Sequence, residues 1–221
     1  KKLKMDSMTV IEFGVANGTG LINIQSICNK ISKLLDIKFN IYGFDNLVGL
    51  PKPEDYKDHP DLYQESDYPL QNIESLKKKL NENTKLIIGD VKETVPVFKN
   101  NDFKNSPIGF ISFDLDYYSS TKNALDILMI ESKNLLPIID LYFDDISDYK
   151  HNSNCGQYLA IKEFNNNQKM RILEQHTFLR KKRIFQRAKW IDHMYQLHIL
   201  DHREKNSPEK RKQKVLENFH F

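Results

Sequence analysis

Aspartates recur at the ends of apolar runs in this chain, and they are the side chains best placed to do chemistry. Asp114 and Asp116 follow Gly109-Phe110-Ile111-Ser112-Phe113, and Asp144 and Asp145 follow Ile138-Ile139-Asp140-Leu141-Tyr142-Phe143. Carboxylates gathered on one edge of a sheet raise each other's pKa unless a cation or ligand sits between them. Hard divalent cations take oxygen ligands of this kind. Asp114, Asp144 and Asp145 are therefore a candidate metal set. The alternative is that Asp114 helps hold a cofactor while Asp144 and Asp145 cap the next helix.

A second cluster precedes these. Glu12-Phe13-Gly14-Val15-Ala16-Asn17-Gly18-Thr19-Gly20 joins an apolar run to an amphipathic one. Its G-x-x-x-G-x-G spacing differs from the G-x-G-x-x-G that seats a pyrophosphate on a helix N-terminus. Glu12 would repel a pyrophosphate but suits a ligand carrying an ammonium and a sulfonium, as S-adenosylmethionine (SAM) does. Glu12, Gly14, Asn17, Gly18 and Gly20 are candidate cofactor contacts; the alternative is a glycine-rich turn without a ligand. Asp45 closes the next apolar run, where an acid can accept from both ribose hydroxyls or simply shape a turn. Asp90 falls where an adenine contact is expected, although Gly-Asp is also an ordinary turn.

These residues need elements to position them. β-Branched and aromatic runs predict strands over 8–14, 39–45, 85–90, 109–114 and 138–144, and apolar residues at helical spacing predict helices over 21–35, 73–80, 121–134 and 156–165. Residues 190–200 alternate and predict strands, and the charge run over 204–214 predicts a solvated segment. Strands alternating with helices give an α/β fold: a doubly wound, mostly parallel sheet with helices on both faces, Rossmann-like in class. Such sheets bind ligands beyond the carboxyl ends of their strands. The Pro-, Asp- and Tyr-rich stretch over 50–70 is long for a loop in a compact domain. It carries His59 and predicts a lid over the site.

With 221 residues, the chain fits one domain over 1–221, its core over about 8–200 and its tail basic and partly solvated. Hydrophobic residues at 39% suffice for a core, and a net charge of +3 gives no argument for nucleic acid or a membrane surface. Cys28 and Cys155 have no metal-like spacing, so a reducing cytoplasm is expected. No apolar run approaches the ~20 residues that span a bilayer. The chain begins Lys1-Lys2-Leu3 with no initiator Met, as a fragment would.

Four blocks together carry a family resemblance: the glycine turn after Glu12; Gly43-Phe44-Asp45-Asn46-Leu47-Val48-Gly49-Leu50-Pro51; Asp114-Leu115-Asp116-Tyr117-Tyr118-Ser119-Ser120-Thr121; and Phe143-Asp144-Asp145. In order and separation the sequence resembles the macrocin O-methyltransferase family of class I SAM-dependent methyltransferases. The resemblance covers residues 10–164. It implies O-methylation of a hydroxyl on a sugar or other small-molecule natural product, with SAM as cofactor and Mg²⁺ on the aspartates of the fourth and fifth strands. It also implies cofactor contacts at Asp45 and Asn46, a small-molecule acceptor, no nucleic-acid partner, and compatibility with a homodimer.

Without a metal, a general base must lie within ~3 Å of the acceptor. Asp116, His151 and His59 are the candidates, with Asp114 beside the reacting groups. His193, His198 and His202 read as sheet residues, because His193 and His198 face opposite sides of a strand. Two rival functions remain: a non-catalytic SAM-binding protein, and a methyltransferase acting on nucleic acid or protein. The clusters Arg180-Lys181-Lys182-Arg183 and Lys210-Arg211-Lys212 weakly support nucleic acid, but charge runs are usually solvated faces. A nicotinamide-dependent oxidoreductase is disfavoured by the glycine spacing and by Glu12.

Overall fold

Alternating runs of β-branched and apolar residues with amphipathic segments produce a seven-stranded sheet. The computed structural model describes residues 5–146, 150–182 and 186–206. The strands are β1 (Ser7–Phe13), β2 (Lys38–Asp45), β3 (Thr84–Ile88), β4 (Ile108–Phe113), β5 (Leu135–Phe143), β6 (Arg171–Gln175) and β7 (Met194–Ile199). Their spatial order is β3-β2-β1-β4-β5-β7-β6. The first five are parallel, and β7 runs antiparallel between β5 and β6. Chain order reverses between β1 and β4, and such a switch point opens a crevice at the carboxyl ends of the strands.

Helices cover both faces. Leu21 and Cys28 of α1 (Thr19–Leu35) and Leu76 of α2 (Ile73–Lys77) pack with Val10, Phe39 and Ile41 of the sheet. The opposite face receives α3 (Val91–Phe98), α4 (Tyr118–Leu125) and α5 (Gly156–Asn167). Two short helices, α6 (Phe178–Lys182) and α7 (Arg203–Asn206), flank the last strand. Among the described residues no helix is long and apolar enough to cross a membrane.

Across that second face runs a row of four rings, Phe44, Phe13, Phe113 and Phe143, one from each of β2, β1, β4 and β5. Register pairs Phe13 with Phe44 and with Phe113, and Phe113 with Phe143. Neighbouring ring centroids lie 4.7, 5.3 and 4.7 Å apart, and all four side chains are fully buried. Offset aromatic contacts at this spacing add to the burial of each ring.

Several boundaries differ from the sequence reading. The helix expected over 121–134 is α4 followed by 3-10 turns at Asp126–Met129 and Ser132–Asn134; Leu125 and Leu128 are buried while Met129 turns outward. Helix α3 contains Pro96, which lacks an amide donor and conceals the helix in the sequence. The alternating segment over 190–200 supplies one strand after a 3-10 turn at Lys189–Ile191. Of the charge run, residues 204–206 lie in α7 and the rest falls outside the described residues.

Candidate functional site

The Phe row sets the positions of the residues just after it. Gly14, Asp45, Asp114 and Asp144 each succeed one of the four rings, so they stand side by side at the strand ends. Backbone bonds carry the register one step further: the amide of Gly14 donates to Phe44 O (2.9 Å), that of Asp114 to Phe13 O (2.9 Å) and that of Asp144 to Phe113 O (3.0 Å). A cavity of about 420 Å³ opens over this row, within the range of small-molecule sites. Gly14, Asp45, Asn46, Asp90, Asp114 and Asp116 line it. Asp144 and Asp145 complete the same wall, whereas Glu12, Asn17, Gly18, Gly20 and His151 lie outside the lining.

At the switch point the glycine turn is tight. Gly14 has φ +82°, and a Cβ there would lie 1.6 Å from the carbonyl oxygen of Asp114. Gly20 works from below, since a Cβ would meet Glu12 Oε1 at 2.1 Å. Glu12 itself is 4% exposed beneath the turn, and its Oε2 has no hydrogen-bond partner among the described residues. Burial first, then Asp114 and Asp45, push its carboxyl up to about 8. The sequence reading set a charged carboxylate against a cationic ligand; in the fold, burial and the neighbouring aspartates favour its neutral form. The Glu12→Gln variant should therefore melt close to wild type near pH 4.5 and above it at pH 7. Between about pH 4.5 and 8 the folded protein binds a proton that the unfolded chain has lost, so stability falls as pH rises through that window. The variant should show a shallower decline in Tm over that window; identical slopes would refute the assignment.

Asp45 is spoken for by backbone. Its Oδ2 accepts from the amides of Val15 (2.9 Å) and Ala16 (2.8 Å), and its Oδ1 accepts from Leu47 (2.6 Å). The carboxylate thus fixes the glycine turn from the adjacent strand while still facing the cavity. Asn46 donates to Gly49 O (2.7 Å) and accepts from the Val48 amide (3.0 Å). Asp90 is the N-cap of α3, accepting from the Lys92 amide. The exposed Asn17 stands 3.5 Å from the Gln71 amide.

Asp114, Asp144 and Asp145 each offer an oxygen, and these atoms lie within 4.8 Å of one another. An all-carboxylate donor set fits a hard divalent cation. The capping alternative does not apply to α5, whose N-cap is Cys155 without a side-chain bond. Asp114 faces the open cleft, yet crowding by protein, followed by the charges of Asp145 and Asp144, pushes its carboxyl up to about 8. Asp116, at φ +56°, is raised to about 7 by burial and then by Asp114, with the Tyr63 hydroxyl pulling it partway back. Asp145 is 9% exposed; its Oδ2 accepts from the Asp116 amide at 3.0 Å.

The loop expected to act as a lid is pinned at base and tip. Leu50 and Asp67 clasp its base through Leu50 N to Asp67 O (2.8 Å), with Ser66 N to Leu50 O (2.8 Å) beside it. At the tip, Asp58 (1% exposed) accepts from the Ser119 amide (2.8 Å) and Ser119 hydroxyl (3.0 Å). It thereby caps α4, which has no cap of its own. Tyr63 projects from this loop into the cavity, its hydroxyl 3.5 Å from Asp145 Oδ1 and 3.3 Å from His151 Nε2. His151 stands behind Tyr63, and His59 packs on His151 with ring centroids 5.1 Å apart. Burial lowers the pKa of His59. His193 is a buried sheet-end residue stacked on Tyr142, and His198 lies on β7 beside Glu174.

Sequence reasoning did not single out Tyr63, Asp67, Tyr68 or Tyr142. Tyr142 had a readable signal, since it sits two residues before Asp144 and a strand repeats its face every second residue. The loop residues had none. Of the basic cluster, Arg180 is engaged with Asp192 and Gln186 O, and Arg183 and residues 210–212 lie outside the described residues.

This architecture is the class I SAM-dependent methyltransferase fold. Among solved structures it resembles the calicheamicin methyltransferase CalS11 (TM-score 0.57, 24% identity, covering 72% of this chain and 64% of that one). CalS11 is also described as a TDP-rhamnose 3'-O-methyltransferase. The O-methyltransferase NovP is similar as well, with TM-score 0.55 and 18% identity over 72% of this chain and 63% of that one. The chain thus spans less than two thirds of the length of either neighbour. Neither a protein-family model nor a curated protein matches the sequence.

Proposed function

We propose that the chain is a SAM-dependent O-methyltransferase acting on a hydroxyl of a sugar or another small molecule, with Mg²⁺ on Asp114, Asp144 and Asp145. The supporting observation is the convergence of those three carboxylates, oxygens within 4.8 Å of one another, beside a glycine turn at the switch point. SAM supplies an electrophilic methyl on a sulfonium, and a bound divalent cation supplies Lewis acidity toward the acceptor oxygen. The chain's own residues position the reactants and move the proton. In-line displacement rewards alignment above all. Gly14 lets the backbone approach the cofactor, and Asp45 fixes that turn. Asp116, on the cavity wall beside the cluster, takes the acceptor proton as a new O–C bond replaces the S–C bond. His151, one side chain further back, is second in line.

Charge narrows the acceptor. Seven aspartates line the cavity, and no Lys or Arg among the described residues does. A diphosphate handle, such as that of the nucleotide sugar named for CalS11, would meet mainly like charge. An uncharged hydroxyl compound fits better. The test is calorimetric titration with SAM, then a methyl-transfer assay over neutral glycosides and nucleotide sugars. Absence of SAM binding would sink the reading; SAM binding with turnover on nucleotide sugars alone would sink the charge argument.

A further inference from the structure

Within the carboxylate cluster, Asp144 is held by a hydrogen bond from its own strand. Tyr142, on β5, donates its hydroxyl to Asp144 Oδ1 at 2.8 Å. The phenol has little freedom to leave. Its ring stacks on buried His193 with centroids 5.5 Å apart and planes 22° apart. Backbone pairing holds the two rings together, with Tyr142 opposite Met194 on β7 and the Phe143 amide donating to His193 O at 3.0 Å. His193 Nδ1 stands 4.0 Å from the same Oδ1. One oxygen of Asp144, Oδ1, is thus engaged and crowded from the β7 side, which leaves Oδ2 the freer of the two.

That asymmetry bears on which cation fits. Ca²⁺ accepts carboxylates through both oxygens at about 2.3–2.6 Å in a flexible shell, whereas Mg²⁺ demands near-octahedral geometry at about 2.0–2.1 Å and takes single oxygens. We propose that Tyr142 holds Asp144 as a one-oxygen ligand and so biases the site toward Mg²⁺ over Ca²⁺. It is a positioning residue, acting through Asp144. The inference rests on the cation reading given above.

The experiment measures Mg²⁺ and Ca²⁺ affinities separately by calorimetry on the chain without SAM, for wild type and Tyr142→Phe, with a melting curve for each. Outer-shell partners of metal ligands commonly change affinity by ~10–100-fold. The variant should bind Mg²⁺ at least ~10-fold more weakly while Ca²⁺ affinity holds or rises, shifting the Mg²⁺/Ca²⁺ ratio by about that factor. An unchanged ratio overturns the proposal, whether both affinities stay put or both fall together with Tm as a merely structural role would give. A wild type that binds neither ion overturns the cation reading and this inference with it. A wild type that binds Mg²⁺ and a variant with the same ratio leaves the cation reading standing and removes only the role of Tyr142.

Discussion

Asp144→Asn is expected to cut methyl transfer by ~100-fold or more while SAM affinity changes little. Loss of a group that merely orients a metal ligand commonly costs ~10–100-fold, and loss of the ligand's charge costs no less. The variant should also fold. Asp144 is half-buried, and its charge is among the causes that raise the carboxyl of Asp114, so removing it relieves repulsion in the cation-free protein. EDTA should reproduce the loss in wild type, and added Mg²⁺ should restore wild type but not the variant. The check is turnover with an identified acceptor, alongside SAM calorimetry on both proteins. Full activity in EDTA would refute the metal role and leave activation of the acceptor to Asp116 and His151 alone.

Asp45→Ala should weaken SAM binding at least tenfold and also lower the stability of the cofactor-free protein. Three backbone amides, of Val15, Ala16 and Leu47, lose a charged acceptor. Hydrogen bonds to charged groups contribute ~1.5–3 kcal/mol each, and water replaces part of what is lost at a half-buried site. A net loss of ~3 kcal/mol corresponds to a fall in Tm of roughly 6–12 °C for a chain of this size. The sequence suggested a ribose acceptor, and the two roles separate experimentally. Weaker SAM binding with an unchanged cofactor-free Tm would leave only the ribose contact. Loss of both is the expected result.

The row of site residues was legible because each of its members ends an apolar run, and apolar runs ending in Gly or Asp are visible without a structure. What the sequence could not convey is who sits beside whom. β7 inserts antiparallel between β5 and β6, a pairing made by residues far apart in the chain, and it brings His193 against Tyr142. Tyr63 reaches Asp145 across 82 positions, and no local pattern encodes that. Helix α3 was hidden by Pro96, and β6 is a five-residue strand with two exposed polar residues at its end. Glu12 was found by its place in a motif, but its raised pKa was not legible, because ionisation depends on burial, which composition does not reveal.

The row of four rings beneath the site divides labour between neighbouring positions in the chain. Lateral spacing of the reactive row is set by Phe44, Phe13, Phe113 and Phe143 and by the strand register. These rings are buried in the core, one position short of the residues that face a ligand. The side chain of Asp45 also holds the glycine turn, whereas those of Asp114 and Asp144 rest on this footing without bearing on it. Their identities can therefore drift, be exchanged or be redesigned while the distances between them persist. A change of chemistry at this edge, toward an ion or away from one, requires new side chains on an old ruler rather than a new fold.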